Sequence, residues 1–227
     1  MTNLTKNILI TGANRGIGLH LSEQLKEKEF NIYALVRKTN DPLNIIAKKV
    51  IENIDLKDPN TINNAQEKLK NISFDIIINN AGILQSESLH NLGKNSIDQI
   101  MNQFQLNALA PIIITKTFLH QLTKNSKVIF MTSRMGSIAD NNSGSRYGYR
   151  MSKAALNAAA KSLSIDLKEK NIPVGIFHPG WVKTKMTNFT GNLTPNIAAK
   201  QLIERIEELN LENSGVFKHS DGSNLPW

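Results

Sequence analysis

At 227 residues, with 40% hydrophobic and 20% charged side chains, the chain has the size and balance of one large α/β domain with a buried core. It contains no cysteine, which excludes disulfides, thiolate metal sites and a cysteine nucleophile, and its five histidines (His20, His90, His120, His178, His219) stand singly, so no metal site is expected. The net charge of +8 comes from lysines interspersed with Asp and Glu, as around Lys48–Lys49, a solvated-surface pattern that argues against a nucleic-acid groove and suits a phosphate-bearing cofactor.

From the N-terminus, Met1 to Leu9 holds one lysine and too short an apolar run for a signal peptide. No uninterrupted apolar run is long enough to span a bilayer, so a cytoplasmic protein without membrane partners is expected. Asn7–Ile10 reads as a strand ending in a glycine loop, Ile17 to Lys28 as an amphipathic helix, and Asn31–Val36 as a second strand. Val50–Ile54 and Phe74–Ile78 follow as strands. Ile97 to Gln121 reads as one long helix, Val128–Met131 as a strand, Tyr149 to Glu169 as an Ala-rich helix and Val174–Phe177 as a strand. Beyond them, Lys183 to Pro195 lacks periodicity, and a mobile substrate lid is expected over about 183–197; Ala198–Leu209 is a last helix. Strands alternating with helices must join by crossovers. The expected fold is therefore α/β: a single doubly wound Rossmann-type domain over 1–227, with a parallel sheet of about seven strands and helices on both faces.

Directly after the first strand comes Thr11-Gly12-Ala13-Asn14-Arg15-Gly16-Ile17-Gly18, opening into a helix. Glycines there permit a tight turn and let backbone N–H groups approach a pyrophosphate at a helix N-terminus. The GxxxGxG spacing fits the generic dinucleotide fingerprint only loosely; its strand–loop–helix setting is what gives it weight. Where NAD binders place an acid at the end of the second strand, this chain has Val36 followed by Arg37. A carboxylate there would repel a 2′-phosphate. Its absence, with Arg37 and Arg15 at hand, favours NADP(H) over NAD(H), because the guanidinium fork matches phosphate geometry.

Tyr149-Arg150-Met151-Ser152-Lys153 sets a phenol and an ammonium four residues apart on one helical face. A free phenol is a poor acid–base group at neutral pH, and a neighbouring ammonium is expected to lower its pKa. Ser133, at the end of the 128–131 strand, can hold a carbonyl oxygen beside the phenol, so the catalytic region is placed at 128–153. Asn79-Asn80-Ala81-Gly82 ends another strand, and three strand ends converge on one crevice.

In this order, over about Asn7 to Thr184, the motifs resemble those of the short-chain dehydrogenase/reductase family. The match includes Ile54-Asp55-Leu56, whose Asp55 resembles an adenine-contacting position, as well as Asn107 and Pro179-Gly180-Trp181-Val182-Lys183-Thr184. The resemblance implies that Tyr149 is the catalytic acid/base and that Lys153 lowers its pKa and holds the nicotinamide ribose. It implies that Ser133 orients the substrate oxygen and that Asn107 anchors a water relay to Lys153. Gly12, Asn14, Arg15, Gly16, Ile17 and Gly18 would cradle the phosphates, while Arg37 would take the 2′-phosphate. Asp55, Leu56, Asn80, Ala81 and Gly82 would line the adenosine side, and Pro179, Gly180, Val182 and Thr184 the nicotinamide side. The segment Arg134-Met135-Gly136-Ser137-Ile138 and the tail Asn213–Trp227 are similar to the branch of sniffer-type carbonyl reductases and bacterial C-factor proteins; the tail alone reads as a flap packed on the domain.

Ser133 precedes Tyr149 by 16 positions and Ser137 by 12, and the shorter interval is the commoner one in the family. Ser133 is preferred because it stands at the strand end and Asp140–Ser145 reads as an inserted loop; Ser137 stays as the alternative. The expected reaction is NADP(H)-dependent reduction of an aldehyde or ketone, with Leu84, Leu89, Trp181, Met186 and Phe189 offering apolar contacts. The Ala154–Ala160 helix suggests a homodimer or homotetramer. The competing reading is an NADP-binding signalling or sensor protein with incidental catalysis, which would need the glycine loop but not Tyr149.

Overall fold

Alternating apolar side chains on the central strands set the architecture. The computed structural model describes residues 5–227; Met1–Leu4, the start of the segment read above as too short for a signal, lie outside it. In β1 (Asn7–Thr11), Ile8 and Ile10 pack on one side of the sheet and Leu9 on the other. β2 (Asn31–Leu35) repeats the pattern with Ile32 and Ala34 against Tyr33 and Leu35. β4 (Phe74–Asn79), β5 (Leu122–Met131) and β6 (Val174–His178) do the same. Strands buried on both faces belong to a parallel sheet covered by helices on each side.

The sheet has seven strands in the order β3-β2-β1-β4-β5-β6-β7, all parallel, with β3 at Lys49–Ile51 and β7 at Phe217–His219. α1 (Gly16–Glu27) and α7 (Pro195–Glu208) pack together on one face through Leu21, Leu25, Leu202 and Ile206. α3 (Pro59–Lys68), α5 (Ala110–Phe118) and α6 (Tyr147–Asp166) cover the other, with α4 (Lys94–Phe104) packed on α6. A short α2 (Asp41–Ile46) bridges β2 and β3. The chain runs outward from β1 to β3 and then from β4 to β7, so the order reverses between β1 and β4. Ligand crevices of such sheets open at that point, outside the carboxyl ends of the strands.

Several boundaries differ from the sequence expectation. The helix expected over Ile97–Gln121 starts at Lys94 and carries a π-turn at Gln105–Leu109, where the Ala110 N–H reaches the Gln105 carbonyl. Pro111 explains the wide turn, because proline has no N–H for the Asn107 carbonyl and its ring crowds that position. α2 and α3 were not read at all, although Asp58 caps α3 by accepting from Asn60 N–H at 2.9 Å, with Pro59 in the first turn. The tail, for which a packed flap was the alternative reading, contributes β7, and the expected lid contains a short turn at Lys185–Thr187 before running into α7 at Pro195. No helix among the described residues is long and apolar enough to cross a membrane.

Candidate active site

At the carboxyl end of β1 the glycine loop is locked to the end of β4. Thr11 is buried, and its hydroxyl accepts from the N–H groups of Asn80 and Ala81, each at 3.1 Å. Asn80, expected on the adenosine side, donates its amide to the carbonyl oxygens of Thr11 and Gly12 at 2.9 and 3.1 Å. Its side chain thus holds the loop in shape. Gly12 (φ 67°) allows this approach, since a Cβ there would stand 3.0 Å from Ala81 Cα. Thr11 was not singled out in the sequence reading.

The end of β2 lies beside the same loop. Asn14 donates to the Lys38 carbonyl at 2.8 Å, and Asn40 donates to the Asn14 carbonyl at 2.7 Å. Arg15 and Arg37 are both exposed and, among the described residues, neither forms an ion pair. Asp55 is exposed and accepts from Lys57 N–H, while Leu56 is buried and packs in the cluster that Ala81 flanks. Across the crevice, a Cβ on Gly16 (φ 54°) would meet Thr184 Cγ2 at 3.5 Å. The loop after β6 therefore faces the glycine loop directly. Val182 is buried there and pairs with Leu193, and Gly180 takes φ 88° after Pro179. A cradle bare of side chains at Gly16, beside α1's N-terminus and with exposed Arg15 in the same loop, has room and positive potential for a dinucleotide's phosphates.

Catalytic candidates meet between β5 and α6. Ser133 and Tyr149 are each 7% exposed and lie side by side, close enough for the serine hydroxyl to act on the phenol's ionisation. Ser133 Oγ also accepts from Met135 N–H at 3.1 Å, which fixes its rotamer. Lys153 is buried, donates from Nζ to the Met131 carbonyl at 2.8 Å and lies 5.9 Å from the Tyr149 ring centre. Gly136 lets the turn after β5 lie on α6, since a Cβ there would come within 2.7 Å of the Lys153 backbone.

Burial dominates both protonation equilibria. It pushes the Tyr149 phenol above its usual pKa, with the Ser133 hydroxyl and the Arg146 charge pulling less strongly the other way. Burial also pushes Lys153 down to about 8. The lowering of Tyr149 by Lys153 expected from the YxxxK spacing is thus outweighed: the phenol is enclosed and the ammonium is turned onto a backbone carbonyl. At neutral pH this leaves Tyr149 a protonated donor beside a Lys153 that is still mostly charged.

Asn107 sits in the π-turn, buried, and clasps the backbone of Ile83. Its Oδ1 accepts from Ile83 N–H at 2.9 Å, and its Nδ2 donates to the Ile83 carbonyl at 2.8 Å and to Ser152 Oγ at 3.0 Å. A Cβ on Gly82 would lie 3.2 Å from Asn107 Oδ1 and 3.7 Å from Lys153 Nζ, so the three converge. The carboxamide is committed to Ile83 and Ser152. A cavity of about 420 Å³ is lined by Arg134, His178, Trp181, Leu193, Gln201 and His219 among others. Neither Arg134 nor His178 was among the residues chosen from sequence.

The sequence profile of the short chain dehydrogenase family matches residues 6–193. The chain belongs to the short-chain dehydrogenase family. It is 33% identical, over 97% of its length and 99% of the relative's, to 1-hydroxy-2-glutathionyl-2-methyl-3-butene dehydrogenase of Rhodococcus sp. (strain AD45). It is 39% identical, over 67% of its length and 92% of the relative's, to C-signal of Myxococcus xanthus. Among solved structures, carbonyl reductase Sniffer of D. melanogaster superposes with a TM-score of 0.88 at 30% identity, covering 99% of this chain and 100% of that one. These matches bear out the resemblance to sniffer-type and C-factor proteins. The chain is therefore an oxidoreductase of the short-chain dehydrogenase family, whose members work on carbonyl/alcohol pairs with a nicotinamide cofactor.

Proposed function

We propose that this short-chain dehydrogenase reduces an aldehyde or ketone with NADPH, Tyr149 giving the proton. The observation that carries the reading is the enclosure of the Ser133 and Tyr149 hydroxyls beside buried Lys153, with the loop after β6 facing the glycine loop. The substrate oxygen sits between the two hydroxyls, accepting from both. Tyr149 Oη–H passes its proton to that oxygen as negative charge develops there. The phenolate left behind stands in the first turn of α6, where the positive helix end and the Lys153 ammonium stabilise it. The bound nicotinamide supplies the hydride. Lys153, Pro179, Gly180, Val182 and Thr184 would position its ring and ribose, with Asn107 anchoring a water relay to Lys153 and Gly82 on the adenosine side.

NADPH is preferred in this reading because the β2 end offers Arg37, with Arg15 beside it, and no carboxylate at Val36. The segments 83–95 and 184–195 line the substrate, with Leu89, Trp181, Met186 and Phe189 exposed as its apolar contacts and about 183–197 closing as a lid. The reading includes a cytoplasmic homodimer or homotetramer, supported by the exposed apolar residues Ile97, Met101 and Met151 on the paired helices α4 and α6. A signalling role alone would leave the Tyr149 constellation without a task.

Fluorescence titration with NADPH and NADH, followed by an aldehyde and ketone panel read by NADPH oxidation, tests the proposal. Tighter NADPH binding and turnover of a panel member support it. Tighter NADH binding removes the 2′-phosphate assignment, and binding of neither cofactor moves the signalling reading to first place.

A further inference from the structure

Helix α6 begins without a cap of its own. Its N-cap residue Arg146 lies in the left-handed region (φ 53°), makes no side-chain hydrogen bond to the first turn, and is followed by no acidic residue there. The N–H groups of a first turn have no partner within the helix, and a missing cap costs about 1 kcal/mol. This is the turn that carries Tyr149.

The cap comes from Glu87, 61 positions earlier in the chain. One carboxylate oxygen of Glu87 accepts from Gly148 N–H at 3.1 Å; the other accepts from the Gln103 amide at 2.7 Å. The Glu87 backbone carbonyl accepts from Arg146 N–H at 2.6 Å. Gln103, on α4, uses its own side-chain oxygen to accept from Gln85 N–H at 2.9 Å. Glu87 and Gln103 are both buried, and no cation among the described residues pairs with the carboxylate. A carboxylate removed from water is costly unless hydrogen bonds and local positive potential replace its hydration. Here two N–H donors and the positive end of a 20-residue helix do so. Gly148 makes the approach possible, because a Cβ there would lie 2.6 Å from Gln103 Nε2.

We propose that Glu87 is a positioning residue for the reaction: it caps α6 in trans, sets Tyr149 against Ser133, and couples the substrate-lining segment 83–95 to the catalytic helix. The inference rests on the reductase reading for its effect on turnover, but the capping itself does not. A substrate seated against 83–95 presses on a segment whose buried carboxylate holds the residue next to Tyr149. Contact on that segment is thereby transmitted to the phenol through two hydrogen bonds and one peptide unit.

Reciprocal exchange of the two side chains tests this. Glu87→Gln sets a second amide against the Gln103 amide, so one donor is left facing another. Gln103→Glu alone sets two carboxylates together. Glu87→Gln combined with Gln103→Glu restores every bond: a carboxamide oxygen for Gly148 N–H, a carboxamide N–H for the new carboxylate, and a carboxylate oxygen for Gln85 N–H. Each single variant is expected to lose about tenfold or more in kcat with the NADPH dissociation constant little changed, as displacement of a catalytic group does. The double variant should recover to within about threefold of the parent, a coupling that a cycle of variants isolates. Amide exchange at Gly148–Arg150, measured without cofactor, should rise in Glu87→Gln and return in the double variant. An unchanged kcat in Glu87→Gln, or a double variant as impaired or as unfolded as the singles, overturns the proposal. Absence of turnover in the parent overturns the reductase reading instead, while unaltered exchange at Gly148–Arg150 in Glu87→Gln overturns the capping role.

Discussion

The Ser137 hydroxyl donates to the backbone carbonyl oxygen of Trp227 at 3.1 Å, and its oxygen accepts from Asp140 N–H at the same distance. The residue at the commoner interval from Tyr149 therefore fastens the tail and opens the 140–145 loop. Ser133, four positions earlier, is the hydroxyl that lies beside the Tyr149 phenol. Arg150 holds the 140–145 loop from α6 by donating to the Gly144 and Ser145 carbonyls and to Ser143 Oγ.

The two serines should separate cleanly on substitution. Ser133→Ala removes the donor aimed at the substrate oxygen and is expected to lower kcat about 10²-fold. Ser137→Ala leaves the Trp227 carbonyl and the Asp140 N–H without their partner and should cost about 1–3 kcal/mol of stability while turnover persists. Steady-state kinetics with thermal unfolding of both variants checks the pair; loss of turnover in Ser137→Ala alone would reverse the assignment.

Gly18→Ala should be the most damaging glycine substitution in the cofactor loop. The added Cβ would run into the Gly12 carbonyl and stand 2.5 Å from Asn80 Nδ2, the group that holds the loop. Such overpacking costs about 1–3 kcal/mol, and NADPH affinity should fall about tenfold or more as the loop shifts. Gly93→Ala, where nothing lies within 4 Å, is the control and should bind NADPH as the parent does. Titration of both variants decides the point.

Lys153 leaves a signature in stability against pH. Its pKa falls from 10.5 in the unfolded chain to about 8 in the folded one. Between these values the unfolded chain holds more protons, so stability from this residue rises with pH, by up to about 1.4 kcal/mol per unit. Below pH 8 both states carry the charge and the slope disappears. Urea unfolding from pH 7 to 10 should show the parent gaining on Lys153→Met above about pH 8. A constant difference between the two would mean that the folded lysine titrates near its ordinary value.

The strands were legible because a parallel sheet buried on both faces demands continuous apolar runs such as Ile8–Ile10 and Ile76–Ile78, and the glycine loop announced itself by its place after the first of them. The short α3 was missed although Asp58-Pro59 spells its start, and α2 although Asn40-Asp41-Pro42 spells a similar one. The π-turn at Asn107 was hidden because periodicity continues through it; Pro111 was its only mark. Glu87 and Thr11 had no local signal, since their partners lie 61 and about 70 positions away and only the fold brings them together. The tyrosine's protonation also lay beyond a reading of spacing. YxxxK fixes the face shared by phenol and ammonium, while burial, which decides the sign of the shift, comes from tertiary packing.

Replacement of Tyr149 by Phe tests the central claim most directly. The substitution keeps the ring in its buried place and removes only the hydroxyl that gives the proton. Turnover of a carbonyl substrate by the Tyr149→Phe variant should fall by about 10²–10⁴-fold, the contribution of a positioned acid, with the NADPH dissociation constant unchanged. Turnover within about twofold of the parent would contradict the account and place the proton transfer elsewhere.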